Sequence, residues 1–228
     1  MHTLPLFPLS IVVFPHQTLP LHIFEEGYKQ MIADCTPARE GQDYGLFGMS
    51  FEHEGTISSV GCAVQVLKVT RRYSNGTFDI VCRGAWRYRL TETLQERAYL
   101  TARVERLDDE DAGLVNPSLR LLVQERLQQL MDLASQDMGG LGYGPQADDL
   151  ESLQEITDVD AFELAQRIGV EPVRRQQLLE LLGEGERLQF LAGYLEEMLP
   201  TMQERQERQR RVKTNGHTLP GNGHTLPE

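Results

Sequence analysis

Apolar residues change their spacing once along this chain, and that change decides what it can fold into. Up to about residue 111, runs rich in Val, Ile, Thr and aromatic residues are cut at short intervals by Gly, Pro and Asn, a strand-and-turn pattern. From Asn116 onward the apolar positions recur at helical intervals. The pattern predicts an α+β chain in three parts: a β-rich part at 1–112, an α-helical part at 113–213 and a disordered tail at 214–228.

In the first part, Ile11-Val12-Val13-Phe14 reads as a short buried strand ended by Pro15. Residues 18–23 read as a second extended segment, in which Pro20 holds its neighbours in β or polyproline geometry. Phe24, Tyr28, Met31, Ile32 and Cys35 then fall on one face of a helix. Residues 44–51 (YGLFGMSF) are strand-like, with glycines that point to bulging or close backbone approach. A hairpin is expected over 61–90, where Asn75-Gly76 supplies the positive φ angles of a tight turn. On its returning strand Phe78, Ile80 and Cys82 face one side, and Thr77, Asp79 and Val81 the other. Residues 87–90 and 99–107 alternate again and add one or two strands, and 108–111 (DDED) reads as a solvated acidic loop.

In the second part Pro117 suits a helix start, with Asn116 as its cap. Leu119, Leu122, Val123, Leu127, Leu130, Met131 and Ala134 make an amphipathic stripe, which 138–146 (MGGLGYGPQ) breaks. Asp158 or Asp160 is placed to cap a helix carrying Phe162, Leu164, Ala165 and Ile168. Glu171-Pro172 starts another, ending at Leu181-Leu182 with Gly183 in the C-cap position. Leu188, Leu191, Leu195, Met198 and Leu199 share a face of a further helix, which Pro200 should kink or end, and 204–213 is a charged extension. The tail repeats NGHTLP at 215–220 and 222–227, a composition that predicts disorder. HTLP also stands at 2–5, and we read the recurrence as a duplication without function.

A net charge of −12 argues against general binding to nucleic acid and to anionic membranes. No apolar run approaches the roughly 20 residues of a membrane span. The first ten residues lack the basic and unbroken apolar regions of a secretory signal, so a cytoplasmic protein is expected. Cys35, Cys62 and Cys82 form no CxxC pair and read as buried, reduced thiols. The six histidines are scattered, with no HExxH motif and no Cys/His cluster; His16 and His22 make a poor metal pair. No metal and no cofactor is expected.

The opening segment, 4–35, joins Leu4-Pro5-Leu6, Val12-Val13-Phe14-Pro15 and Pro20-Leu21-His22-Ile23-Phe24-Glu25 with Tyr28. Gly61 begins a strand hairpin, Gly84, Arg87 and Tyr88 form a glycine-turned arginine-aromatic element, and 178–191 (LLELLGEGERLQFL) forms a helix pair. In this order and spacing, over about residues 4–200, the chain resembles the amino-terminal, substrate-binding domain of the Lon family of ATP-dependent proteases. The resemblance implies a partly open, PUA-like β-barrel with short helices followed by an α-helical bundle, and a role in recognising unfolded or tagged polypeptides and in assembly. One departure stands out: family members often carry Arg before the helix tyrosine, where this chain has Gly27.

Chemistry is read as absent. A phosphate-binding loop needs Gly-x4-Gly-Lys followed by Ser or Thr, and the chain holds no Gly-Lys-Ser or Gly-Lys-Thr. The Ser-Lys mechanism that the resemblance brings with it has no counterpart around Lys29, Lys68 or Lys213, and Gly48-Met49-Ser50 is not a nucleophile elbow. Paired acids at 25–26, 108–109 and 148–149 read as solvent-facing. The expectation is a non-catalytic module that binds unfolded polypeptide or a protein partner, a Lon protease among them, with Phe14, Leu21, Phe24, Tyr28, Trp86 and Arg87 as candidate contacts. Large apolar residues at these spacings also serve as core. Two other readings stay open: an RNA binder using Arg71, Arg72, Arg83, Arg87 and Arg89, and a cryptic hydrolase. The helix over 186–213 is available to pair with a second copy.

Overall fold

The structure, a computed structural model, describes residues 1–36, 45–95, 97–110, 115–138 and 159–215. Their elements run β1 (His2–Leu9), β2 (Thr18–Ile23), α1 (Glu26–Cys35), β3 (Leu46–His53), β4 (Thr56–Arg72), β5 (Phe78–Leu94), β6 (Leu100–Arg106), α2 (Pro117–Met138), α3 (Ala161–Ile168), α4 (Pro172–Glu180) and α5 (Glu184–Asn215). The chain divides into two compact units, Met1–Leu114 with Asp160–Arg187, and Val115–Val159 with Leu188–Glu228. The helices expected over 113–213 are thus shared out, and α3 and α4 belong with the strands. The glycine-rich break at 139–146 and the tail beyond Asn215 lie outside the described residues.

In the first unit the strands pair in the order β2-β5-β4-β3-β1-β6. Strand β6 pairs back onto the second half of β5, so β1, β3, β4, β5 and β6 close a ring, and β2 hangs on the first half of β5. Only β1–β3 is parallel among these pairs. Strand β1 is not the segment expected: Ile11-Val12-Val13-Phe14 is irregular, with Val12, Val13 and Phe14 buried, and the strand is the proline-bearing His2–Leu9 before it. Its prolines fit because β1 changes partners. His2–Leu6 pairs with β6 and Leu6–Leu9 with β3, so Pro5 and Pro8 each lie where only one side is paired. A missing N–H is tolerated on such an edge.

Strands β4 and β5 form the expected hairpin, each 17 residues long; 87–90 continues β5 and is not a separate strand. At its tip only Gly76 takes a positive φ, 81°. Asn75 contributes through its side chain, whose Oδ1 accepts from the Thr77 amide at 3.1 Å and hydroxyl at 2.8 Å. Phe78, Ile80 and Cys82 are buried as the alternation predicts, in a core that also takes Phe7, Ile23, Met31, Phe47, Val64 and Tyr99. All three cysteines are free and buried. Burial pushes the thiol pKa up to about 11 at Cys35 and about 12 at Cys62 and Cys82.

A second cluster centres on Tyr88, fully buried with Leu6, Ala63, Ala102 and Val104. Its hydroxyl shares a 2.9 Å hydrogen bond with Ser50 Oγ. The ring lies over two glycines: a methyl at Gly61 would stand 2.5 Å from the ring and from the Met49 carbonyl oxygen, and one at Gly48 would stand 2.7 Å from the hydroxyl. Gly48 of β3 thus makes one of the close approaches that the glycines of 44–51 pointed to, and Gly61 of β4 makes another, which the sequence did not single out as one.

Helix α3 is capped by Asp160, whose Oδ1 accepts from the Glu163 amide at 2.8 Å, and closes on Gly169 at φ 73°. In the second unit the Asn116 side chain accepts from the Ser118 amide at 3.0 Å, and Val123, Leu127 and Leu130 are buried along α2. Arg126 of α2 donates to the Ala192 carbonyl of α5 at 2.7 Å. Helix α5 does not end at Pro200 but continues through it to Asn215. The proline removes one helical hydrogen bond, and buried Leu195 and Leu199 before it and Gln206 after it hold both sides in place.

Gly61→Ala should therefore lower stability by about 1–3 kcal/mol through overpacking. Tyr88→Phe should cost about 1 kcal/mol by leaving Ser50 without its partner. Urea denaturation midpoints of the full chain measure both.

Candidate functional site

The six expected contact residues separate into three environments. Phe14 and Arg87 are inside, at 0% and 3% exposure. Arg87 sits where β5 passes beneath the segment after α4. Its Nη1 donates to the carbonyls of Leu179 and Leu181, each at 2.6 Å, and its Nη2 to Asp109 Oδ1 at 2.5 Å. Arg187, equally buried, donates to both oxygens of Asp109, to the Leu181 carbonyl at 3.1 Å and to Glu184 at 3.2 Å. Both guanidiniums lie over the Phe162 ring, at 5.7 and 4.6 Å from its centroid, and Phe162 stacks on Phe14 at 4.9 Å. Arg175 covers the other ring, 4.2 Å from the Phe14 centroid, and donates to the Val12 carbonyl and to Gln17.

Asp109, expected in a solvated loop, is thus the carboxylate between two buried cations. Burial disfavours both charges. At Arg87 it prevails and the pKa falls below the ordinary value; at Arg187 the bonds and charges of Asp109 and Glu184 outweigh it and the pKa rises. Sequence spacing missed this network because Arg87 and Leu179 stand 92 residues apart.

Trp86 and Tyr28 are half-buried. Trp86 packs with His2 at 5.3 Å and Tyr88 at 6.4 Å, under Arg106. Tyr28 lies on Phe7 with ring centroids 4.0 Å apart. Leu21 and Phe24 belong to the sheet's terminal strand or its end. Leu21 is half-buried against the core. Phe24, expected on the buried face of α1, lies outside that helix and is 60% exposed.

Around Phe24 the structure gathers residues that the periodicity did not select. His22 stacks on Phe24 at 6.1 Å and meets Tyr73 edge-on at 5.6 Å. Asp79 joins them, with Oδ1 2.6 Å from His22 Nδ1 and Oδ2 accepting from the Tyr73 hydroxyl at 2.7 Å. The cross-strand register His22↔Asp79 creates the first contact, and the Asn75-Gly76 turn brings Tyr73 to the second. Arg71 lies 4.9 Å over the Tyr73 ring. The result is an exposed aromatic platform at the free end of the sheet order, braced by one carboxylate. The hydrogen bonds from His22 and then Tyr73 hold the Asp79 carboxyl below its ordinary 3.8. Among the described residues no group of three or more His, Cys, Asp or Glu is placed to hold a metal ion.

The sequence profile of the ATP-dependent protease La (LON) substrate-binding domain matches residues 3–197. The chain belongs to the Lon substrate-binding domain family. It is 25% identical over 217 residues to Lon protease 2 of Syntrophobacter fumaroxidans, covering 92% of this chain and 26% of that protein. It is 26% identical over 215 residues to Lon protease 1 of Hydrogenovibrio crunogenus, covering 90% of this chain and 25% of that protein. The chain thus spans about a quarter of the length of these relatives. In structure it resembles the N-terminal domain of the Mycobacterium avium complex Lon protease, with a TM-score of 0.62 at 19% identity over 86% of this chain and 98% of that one. It also resembles a Lon N-terminal domain protein from Xanthomonas campestris, with a TM-score of 0.60 at 21% identity over 85% and 99%. The α+β fold is that of Lon N-terminal domains.

Gly27 meets a close backbone neighbour. A Cβ there would lie 2.5 Å from the Ala98 carbonyl oxygen, so the turn between β5 and β6 occupies the space of a side chain. Among the described residues no helix is long and apolar enough to cross a membrane.

Asp109→Ala should lower stability by roughly 2–4 kcal/mol, less than the full loss for a buried pair because Asp109 is partly exposed; thermal or urea unfolding reads it. Asp79, depressed in the folded chain, should contribute stability that is complete above pH 3.8 and is lost only as the pH falls through its lower folded value. An NMR titration of the Asp79 carboxyl with a midpoint at or above 3.8 would contradict that brace.

Proposed function

We propose that this chain is a non-catalytic recognition module that binds unstructured polypeptide through the platform of Phe24, His22 and Tyr73. The observation that carries the reading is Phe24, a large apolar ring left 60% exposed at the end of β2 and stacked on its neighbour rather than packed away. A ring so placed contributes most when a partner covers it. Family membership supports the ligand class, since the matching profile is described as substrate-binding. Strand addition along the whole of β2 is a poorer route, because Pro20 blunts that edge. Apolar side chains docking on the platform fit better. The module acts beside a full-length Lon protease or on its own substrates.

RNA binding draws less support. Arg87 is committed to Leu179, Leu181 and Asp109, and the net charge of −12 opposes a phosphate backbone. The full chain should bind a fluorescently labelled, unstructured polypeptide in a saturable way by anisotropy, with the polypeptide intact on a gel. Phe24→Ser should weaken that binding about tenfold and leave the unfolding midpoint in place. Cleavage of the polypeptide, or binding indifferent to Phe24→Ser, would overturn the reading.

A further inference from the structure

An open cavity of about 270 Å³ lies between α1 and the tip of the β4–β5 hairpin, lined by Lys29, Ile32, Ala33, Thr36, Val69, Arg72 and Phe78. Its floor is apolar: Ile32 and Phe78 are buried and Val69 is half-buried. Among the described residues that line it, the charged groups are both cations, in a chain whose net charge is −12. The Lys29 side chain is only 16% exposed and is held against the hairpin tip, where a methyl at Gly76 would stand 3.7 Å from Nζ. Among the described residues its ion-pair partner is Glu26 at 2.7 Å, which is 89% exposed, a weak and readily displaced pairing. Arg72 spreads its guanidinium over the Phe78 ring at 5.3 Å, and among the described residues it has no carboxylate within salt-bridge distance. Phe78 is the register partner of both Arg72 and Ile23, the last residue of β2, so the cavity and the Phe24 platform begin at adjacent residues.

We propose that this cavity receives the free C-terminus of a bound polypeptide, with an apolar last side chain on Ile32, Val69 and Phe78 and the α-carboxylate between Lys29 and Arg72. The argument is one of joint chemistry. A C-terminal residue carries its apolar side chain and its anion on the same Cα, and the cavity offers an apolar floor directly beside two cations. An internal Asp or Glu brings the charge without an apolar group to cover the floor. An internal apolar residue covers the floor but brings no carboxylate to Arg72 and leaves Lys29 with only its exposed Glu26 pairing. This inference rests on the polypeptide-binding reading and narrows it to chain ends.

The test compares three labelled peptides of one unstructured sequence against the full chain by anisotropy: ending in Leu with a free carboxylate, ending in Leu amide, and ending in Asp amide. The free acid should bind about tenfold tighter than either amide, the difference that a charge-assisted contact makes. The double variant Lys29→Gln/Arg72→Gln should erase that difference while its circular dichroism melt stays unchanged, and Lys29→Arg should retain it. Acid and Leu amide binding alike would overturn the proposal and leave polypeptide binding standing, and so would a preference that survives in the double variant. The Asp amide binding as tightly as the free acid would overturn the C-terminal occupant in favour of an acidic side chain. No binding by any peptide would overturn both readings.

Discussion

Asp109 holds two guanidiniums that have almost no water. Arg87 comes from the long central strand and Arg187 from the first turn of α5, and each would be a costly buried charge without the shared carboxylate and the carbonyls of Leu179 and Leu181. Phe162 lies beneath both cations, and Phe14 beneath Phe162, so one acidic residue organises a strand, two helices and the irregular segment after β1. That explains why α3 and α4 belong with the sheet although they follow it by more than fifty residues of helix and connection. At the C-terminus of α4 the carbonyls of Leu179 and Leu181, left over by the helix, accept from the Arg87 side chain.

A second constraint is the bulk of Tyr88. The ring is accepted because β3 and β4 present glycine at the two positions beneath it, and Ser50 accommodates the hydroxyl. Interior space in this ring of strands is thus filled by one large residue against two absent side chains, a solution that leaves little tolerance for substitution at any of the three. The same economy recurs outside the ring at Gly27, where a backbone carbonyl takes the place of a side chain.

Much of this was legible in residue order. The alternation at Phe78, Ile80 and Cys82, the caps at Asn116 and Asp160, and the hairpin centred on Asn75-Gly76 all follow from local rules, and the structure shows each. Local rules failed where long-range pairing overrode them. Strand β1 was hidden by Pro5 and Pro8, which are acceptable only because the strand changes partner at Leu6. Pro200 was expected to kink or end α5, and of these the ending does not occur: the helix runs on to Asn215. At the candidate site, Phe24 was assigned to a helix face by its spacing, but the helix starts two residues later and the ring is exposed. His22, Tyr73 and Asp79 were out of reach, because their meeting depends on the register of β2 against β5.

The partner exchange within β1 has a consequence for how the molecule is made. His2–Leu6 has no neighbour to pair with until Leu100–Val104 has been synthesised, and Arg87 has no carbonyl acceptors until Leu179 and Leu181 have followed. While the chain is being made, His2–Leu6 therefore stays unpaired until residue 104 of 228 has followed, whereas Leu6–Leu9 can pair with β3 from residue 51 onward. Such delayed, non-local closure is slow and leaves an adhesive edge in the meantime. Prolines at positions 5 and 8 deny that waiting strand a full row of donors, so the residues that obscured β1 in the sequence also protect it before it has a partner.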